Sequence, residues 1–131
     1  MIGLDTNVLV RYLTQDDGAQ ARKVDALMAE AVAAGGCYLG SVVLCELVWV
    51  LRDAYQFDKA TVVATLDRIL STAQFHVGGK DLVRRALEDY RQGSGDFADY
   101  VIGRSSQEAG CSTTATFDRA LKQSPTFRWL G

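Results

Sequence analysis

Short apolar runs alternate with longer segments of helical periodicity along almost the whole chain, and this alternation restricts the fold more than any other feature. The runs that favour strands occupy residues 1–4, 37–40, 75–77, 111–116 and 127–130. Apolar residues at helical spacing fill the intervals, at residues 8–13, 19–34, 42–55, 59–70, 80–91 and 96–108. Short apolar strands separated by helices indicate an α/β fold, with a parallel sheet covered by helices on both faces.

The length of 131 residues predicts one domain, spanning residues 1–131. Hydrophobic residues make up 48% of the chain and the net charge is −2, which excludes a mainly disordered protein. We expect a cytoplasmic protein without a membrane span, because no apolar run reaches ~18 residues and the N-terminus has no basic segment. The weakly acidic balance also argues against a broadly basic nucleic-acid-binding surface.

Glu46 is the one carboxylate in an otherwise apolar helical run, residues 42–51. At 100° per residue nearly every side of this helix is apolar, which is typical of a buried helix. An unpartnered ionised carboxylate would cost several kcal/mol there, so Glu46 needs a cation, a hydrogen-bond network or a proton. An ion pair with an arginine, or an outward position at a rim, would also explain it.

Asp5 and Asp118 each follow a predicted strand, and Thr116 lies two residues before Asp118. In open α/β sheets, ligands bind beyond the carboxyl ends of the strands, so both acids are candidate site residues. Each is equally well suited to cap the helix that follows.

Asp96 and Asp99 lie three residues apart at the start of a predicted helix, away from its apolar face. A capping box is the structural alternative for this pair. The earlier residue is better placed as the cap, so we expect Asp96 to cap the helix and Asp99 to keep its carboxylate free for a cation.

Asp5, Glu46, Asp99 and Asp118 come from four separate elements and could converge on one crevice. Carboxylates at short range do not ionise together without compensation, and a divalent cation provides it. Because no histidine or cysteine is suitably placed, the oxygen donors favour Mg²⁺ or Mn²⁺. Such ions commonly activate water and stabilise a phosphoryl transition state.

Four motifs follow one another along the chain: Asp-Thr-Asn-Val-Leu-Val-Arg-Tyr-Leu at 5–13, the glutamate within an apolar helix, Asp-Phe-Ala-Asp-Tyr-Val-Ile-Gly at 96–103, and Thr-Phe-Asp at 116–118. Together they resemble PIN-domain ribonucleases, and more narrowly the VapC-type toxins of bacterial toxin–antitoxin pairs. The resemblance covers essentially the whole chain.

The resemblance implies a five-stranded parallel sheet ordered 3-2-1-4-5 and a metal-dependent endoribonuclease that uses Mg²⁺ or Mn²⁺. It also implies an RNA substrate, a cognate antitoxin protein and a homodimer. The family's acidic set corresponds to Asp5, Glu46, Asp99 and Asp118, with Asp96 as an accessory acid. Candidates for supporting or phosphate contacts are Thr6, Asn7, Ser41 and Thr116.

Two other classes of Mg²⁺-binding α/β protein are alternatives. A receiver-like phosphoacceptor domain needs an acidic pair after its first strand and an aspartate after its third, where this chain has Asp5 alone and Gly78-Gly79. A small Mg²⁺-dependent phosphohydrolase of the haloacid-dehalogenase type needs Asp-x-Asp, and Asp5-Thr6-Asn7 lacks the second acid.

Overall fold

Five short parallel strands form two sheets in the computed structural model, which describes every residue from Met1 to Gly131. The first sheet has the order β1 (Ile2–Gly3), β2 (Cys37–Leu39), β3 (Phe75–Val77). The second pairs β4 (Thr114–Thr116) with β5 (Phe127–Trp129). All pairings are parallel, which is possible because longer segments connect the paired strands.

Six α-helices connect these strands: α1 (Thr6–Thr14), α2 (Gly18–Ala33), α3 (Ser41–Asp53), α4 (Lys59–Ser71), α5 (Lys80–Gln92) and α6 (Phe97–Glu108). A 3₁₀ helix (Arg119–Leu121) lies between β4 and β5. The α/β class and the element order predicted from the sequence are therefore confirmed. None of the helices has both the length and the apolar character required to cross a membrane.

The prediction of one continuous five-stranded sheet ordered 3-2-1-4-5 is not what the structure shows. The strands form a three-stranded and a two-stranded sheet, although the neighbours β3-β2-β1 and β4-β5 follow the predicted order. The strands at the expected junction, β1 and β4, are two and three residues long. Because β1 offers only two residues for pairing, its free edge could supply few ladder hydrogen bonds, and the predicted order is not realised as one continuous sheet.

The chain divides into two compact units, Met1–Lys80 and Asp81–Gly131, and both contain fully buried apolar side chains. The largest fully buried side chains of the first unit are Leu9, Leu39, Leu44, Leu47, Leu51, Leu66, Ile69, Leu70 and Val62. Those of the second unit are Phe97, Leu121 and Val83. In the second unit, Phe97 meets Tyr90 edge to face with ring centroids 6.1 Å apart, a favourable aromatic arrangement.

Aspartates define where several helices begin. Asp17 Oδ1 accepts a hydrogen bond from Gln20 N at 3.0 Å, and Asp58 Oδ1 accepts one from Thr61 N at 2.8 Å. Each bond satisfies one of the backbone N–H groups that the first helical turn leaves without a partner. Ser41, a serine directly before an apolar helical run, is expected from the sequence to cap α3. That expectation is wrong, because Gly40 is the N-cap residue and Ser41 is the first residue of the helix.

Candidate active site

Asp5 directly follows β1 and its adjoining Leu4, and it is the N-cap of α1. Its Oδ1 accepts a hydrogen bond from Val8 N at 3.0 Å, and the side chain is exposed. The capping alternative is therefore confirmed, but it occupies one carboxylate oxygen. The second oxygen of Asp5 takes no part in the cap.

Glu46 lies on the exposed side of α3, so the prediction that this helix is buried all round is wrong. Leu44, Leu47, Val48 and Leu51 form its buried face, whereas Val42 is 70% exposed and Trp49 is 49% exposed. Because the outer side of α3 also carries apolar residues, the sequence lacks the separation of apolar and polar faces by which an amphipathic helix is identified. Burial therefore does not force a cation onto Glu46, and its position matches the outward alternative.

The carboxylate of Glu46 is held by a threonine and not by an arginine. Thr6 Oγ1 donates a hydrogen bond to Glu46 Oε1 at 2.8 Å, which links the first residue of α1 to the middle of α3. The threonine thus restricts the rotation of the carboxylate while the second oxygen, Oε2, lies outside this bond. Thr6 was predicted as a supporting residue, and it contacts a predicted site acid.

Asp96 and Asp99 occupy the N-cap and third positions of α6, which is a capping-box arrangement. Asp99 Oδ2 accepts a hydrogen bond from Asp96 N at 3.0 Å. Asp96 occupies the N-cap position, as predicted, and the box bond described above runs to its backbone N–H. Asp99 is not wholly free, however, because the box uses one of its oxygens and leaves Oδ1 outside the bond.

A buried tyrosine of α6 stabilises the loop that precedes this helix. Tyr100 is almost fully buried, and its hydroxyl accepts a hydrogen bond from Gly95 N at 3.0 Å. A Cβ at Gly95 would lie 2.5 Å from Cδ2 of the buried Leu121, so a larger residue there would have to displace that side chain. These contacts hold the backbone that presents Asp96 and Asp99.

Asp118 follows β4 and caps the 3₁₀ helix in the same manner as Asp5 caps α1. Its Oδ1 accepts a hydrogen bond from Ala120 N at 2.9 Å, and its own N–H donates to Thr116 Oγ1 at 3.0 Å. Thr116, a predicted supporting residue, therefore orients the backbone of a predicted site acid. The second carboxylate oxygen of Asp118 is not used by the cap.

Asp99 is the electrostatically distinctive acid of the second unit. Its half-buried position disfavours the ionised form and raises the pKa of the carboxyl above its ordinary value. The hydrogen bond from the backbone of Asp96 acts in the opposite direction, and the negative charges of Asp96 and Asp118 raise the pKa further. The charges of these two acids thus add to the cost of ionising Asp99, which is already disfavoured by its burial.

All four predicted acids share one arrangement, in which a hydrogen bond orients one carboxylate oxygen and the other oxygen lies outside that bond. Mg²⁺ and Mn²⁺ prefer such oxygen donors, so the chemistry of this set fits either ion. Neither unit by itself gathers three or more acidic, histidine or cysteine side chains closely enough to enclose a metal ion. In the first unit, Glu46 is hydrogen-bonded to Thr6. In the second unit, Asp99 interacts with Asp96 and Asp118.

The other two predicted supporting residues show no contact with the acids. Asn7 is exposed on the first turn of α1, and Ser41 is a half-buried first residue of α3. Their assignment stays a prediction.

Several arginines that would otherwise be available for phosphate contacts have partners within the protein. Arg11 pairs with Asp16 at 3.0 Å, Arg104 forms a two-pronged ion pair with Asp89 at 2.7 and 2.8 Å, and Arg52 donates to a backbone oxygen. These bonds fix the helices but leave less positive charge for a substrate.

The sequence patterns did not single out the aromatic and cationic residues around Asp118. Phe117 is 78% exposed, and the side chains of Arg119 and Lys122 lie over the ring of Trp129. The one signal in the sequence was an aromatic residue in a short turn between a strand end and a helix cap, where no apolar periodicity calls for it.

Comparison with known proteins agrees with the resemblance. The sequence matches the PIN domain family over residues 2–125. It is also similar to a protein of Aquifex aeolicus (strain VF5) named VapC ribonuclease, with 24% identity over 121 residues, 92% of this chain and 89% of that protein. The family match spans all four motifs, from Asp5 to Asp118. This chain therefore belongs to the PIN domain family.

Proposed function

We propose that this protein is a metal-dependent endoribonuclease, and that it is the toxin of a bacterial toxin–antitoxin pair. Family membership and the similarity to a protein named VapC ribonuclease support the reaction class. The observation that carries the proposal is Asp99, a half-buried acid whose pKa is raised by desolvation and by two neighbouring carboxylates. Perturbed acids of this kind are typical of functional sites.

The proposed metal ligands, for Mg²⁺ or Mn²⁺, are Asp5, Glu46, Asp99 and Asp118, with Asp96 as a second-rank candidate. When bound, the ion would neutralise the carboxylates, bind a phosphate oxygen and make a water molecule more acidic.

The protein's own residues have distinct parts in this proposal. Thr6 holds Glu46 Oε1 and the cap holds Asp118 Oδ1, so each acid keeps one oxygen for a ligand. Whichever of Glu46 and Asp118 is not fully engaged with the metal would accept the proton of the attacking water. The capping hydrogen bonds to Asp5 and Asp99 reduce the rotational freedom that these side chains would lose on binding a ligand.

The remaining assignments follow from the resemblance. We propose a single PIN domain over residues 1–131 that acts in the cytoplasm on RNA, is held inactive by a cognate antitoxin and forms a homodimer. Nothing in the structure favours the receiver-like or phosphohydrolase alternatives, since Asp5 has no acidic neighbour in its turn.

The test is cleavage of RNA by the purified full-length chain with Mg²⁺ or Mn²⁺, with excess chelator, and with Asp99→Asn. We expect cleavage that stops in chelator and in the variant, and no hydrolysis of small phosphoesters or aspartyl phosphorylation. Undiminished cleavage in chelator, shared by the variant, would overturn the metal-dependent mechanism. If cleavage depends on the metal as expected, sequencing RNA ends after induced expression would identify the target.

A further inference from the structure

Phe117 is the most exposed of the large hydrophobic side chains, with 78% of its surface accessible. It lies between Thr116, the last residue of β4, and Asp118, the cap of the 3₁₀ helix. An aromatic ring in water contributes nothing to the core, so the folding of the chain does not explain it.

The backbone that carries Phe117 is fixed on both sides. Trp129 Nε1 donates a hydrogen bond to Phe117 O at 3.3 Å. On the other side, Asp118 N donates to Thr116 Oγ1 at 3.0 Å, and Asp118 Oδ1 holds Ala120 N. The ring is thus presented outward by an ordered turn, beside a proposed catalytic acid.

Two cationic side chains lie over the ring of Trp129, the residue that is hydrogen-bonded to the backbone of Phe117. Lys122 Nζ lies 4.4 Å from the centroid of the Trp129 ring, and the Arg119 guanidinium carbon lies 5.4 Å from it. Both distances are within the range of cation–π contacts, which position a cation without neutralising it. Unlike Arg11 and Arg104, these two residues form no ion pair with a carboxylate. We refer to Phe117, Arg119, Lys122 and Trp129 as the aromatic–cationic patch.

We propose that the aromatic–cationic patch binds single-stranded RNA, with a base stacked on Phe117 and adjacent phosphates near Arg119 and Lys122. The proposal rests on the endonuclease function and adds the surface that holds the RNA strand. Stacking requires an unpaired base, and every base has a face that an aromatic ring can cover. The two un-neutralised cations, in a chain of net charge −2, favour a polyanion over an apolar protein partner. Because Asp118 is the next residue, an RNA strand bound there lies beside one of the proposed metal ligands.

The experiment measures binding of a fluorescent single-stranded oligonucleotide to the full-length chain by anisotropy, in excess chelator so that cleavage plays no part. Phe117→Ala is compared with Phe117→Trp and with a matched control, Val32→Ala, which also shortens an exposed apolar side chain. We expect Phe117→Ala to weaken binding roughly 5- to 150-fold, the range for loss of one stacked base, while the Trp variant and the control bind like wild type. With an oligonucleotide of abasic residues, the effect of Phe117→Ala should vanish.

The cations are tested through salt dependence. The double variant Arg119→Gln/Lys122→Gln should reduce the slope of log affinity against log salt by about 1.4, or ~0.7 for each phosphate that is no longer neutralised, whereas Phe117→Ala should leave that slope unchanged. Circular dichroism melting identifies any variant that fails to fold, and Phe117→Trp keeps the test valid in that case.

Equal affinity of Phe117→Ala and wild type would overturn the patch proposal, and so would a loss that tryptophan does not restore. Self-association that depends on Phe117 in a chain that does not bind RNA would identify a second copy as the occupant and also overturn it. Failure of the endonuclease proposal has a separate signature, namely RNA binding that depends on Phe117 without cleavage by wild type in Mg²⁺ or Mn²⁺.

Discussion

Exchanging the two acids of the α6 capping box should separate a structural role from a metal-binding role. We expect Asp99→Asn to abolish cleavage and metal binding without loss of folding. The amide oxygen of asparagine can still accept the bond from Asp96 N, and the exchange removes a charge that burial and two neighbouring acids disfavour. Asp96→Ala should destabilise the fold and retain part of the activity, because it removes the cap residue.

The magnitudes follow from general unfolding thermodynamics. An entropy of about 2.1 cal/mol/K per residue gives about 0.28 kcal/mol/K for a chain of 131 residues. Loss of a cap costs about 0.5–2 kcal/mol, so Asp96→Ala should lower the melting temperature by about 2–7 °C. A metal ion at 100 times its Kd stabilises the wild type by about 2.7 kcal/mol and raises its melting temperature by about 10 °C.

The assay is thermal unfolding followed by circular dichroism, with and without Mn²⁺, alongside RNA cleavage. The matched control is Asp58→Ala, which removes the cap of α4 from a position outside the proposed site. It should lower the melting temperature of the metal-free protein and keep the full metal-induced rise. Asp99→Asn should melt no lower than wild type without metal and show no rise with it.

Two results would refute this reasoning. If Asp96→Ala loses the metal-induced rise and Asp99→Asn keeps it, the two acids have the reverse roles. If Asp58→Ala also loses the rise, the loss reflects weakened helix capping in general, and the assignment of Asp99 as a metal ligand fails.

Three further predictions concern positioning, pH and packing. Thr6→Val should lower kcat about tenfold with KM unchanged, since a hydrogen bond to the charged Glu46 is removed, and Thr6→Ser should restore it in steady-state assays. In chelator, the raised pKa of Asp99 stabilises wild type relative to Asp99→Asn below pH 3.8, and this stabilisation is lost as pH rises through the folded pKa. The melting temperature of the variant minus that of wild type should therefore grow toward neutral pH. A difference that does not change with pH would contradict this. Gly36→Ala should destabilise the fold by about 1–3 kcal/mol more than Gly35→Ala in denaturant titrations. Both glycines have positive φ, but only at Gly36 would the added Cβ lie 2.6 Å from a backbone oxygen. Equal losses of stability would refute the steric explanation.

Local chemistry made the element boundaries and caps predictable. Asp5, Asp58 and Asp118 cap the elements that follow them, because a cap depends on a carboxylate and an N–H two or three residues later. The strand Phe75–Val77 and the helix break at Gly93-Ser94-Gly95 were likewise apparent from composition. The failure at Ser41 has a local cause too, since glycine is also an acceptable cap residue.

The exposure of individual side chains was not predictable in the same way. Glu46 was expected to be buried because nine apolar residues surround it in sequence, and the structure places it on the exposed side of α3. Phe117 was noted only as the middle residue of the Thr-Phe-Asp motif, with no role of its own, and it is largely exposed. In both cases the order of residues along the chain does not indicate which side chains are covered by other helices and strands.

The sequence by itself thus determined the α/β class, the order of the elements, the capping aspartates and the set of candidate acids, because each depends on residue type and spacing over a few positions. Only the tertiary structure decided the division of the strands into two sheets, the bond from Thr6 to Glu46, forty residues apart, and the raised pKa of Asp99. These features depend on which segments pack together. Packing is a collective result of burying many apolar side chains at once, and a linear pattern of residues does not contain it.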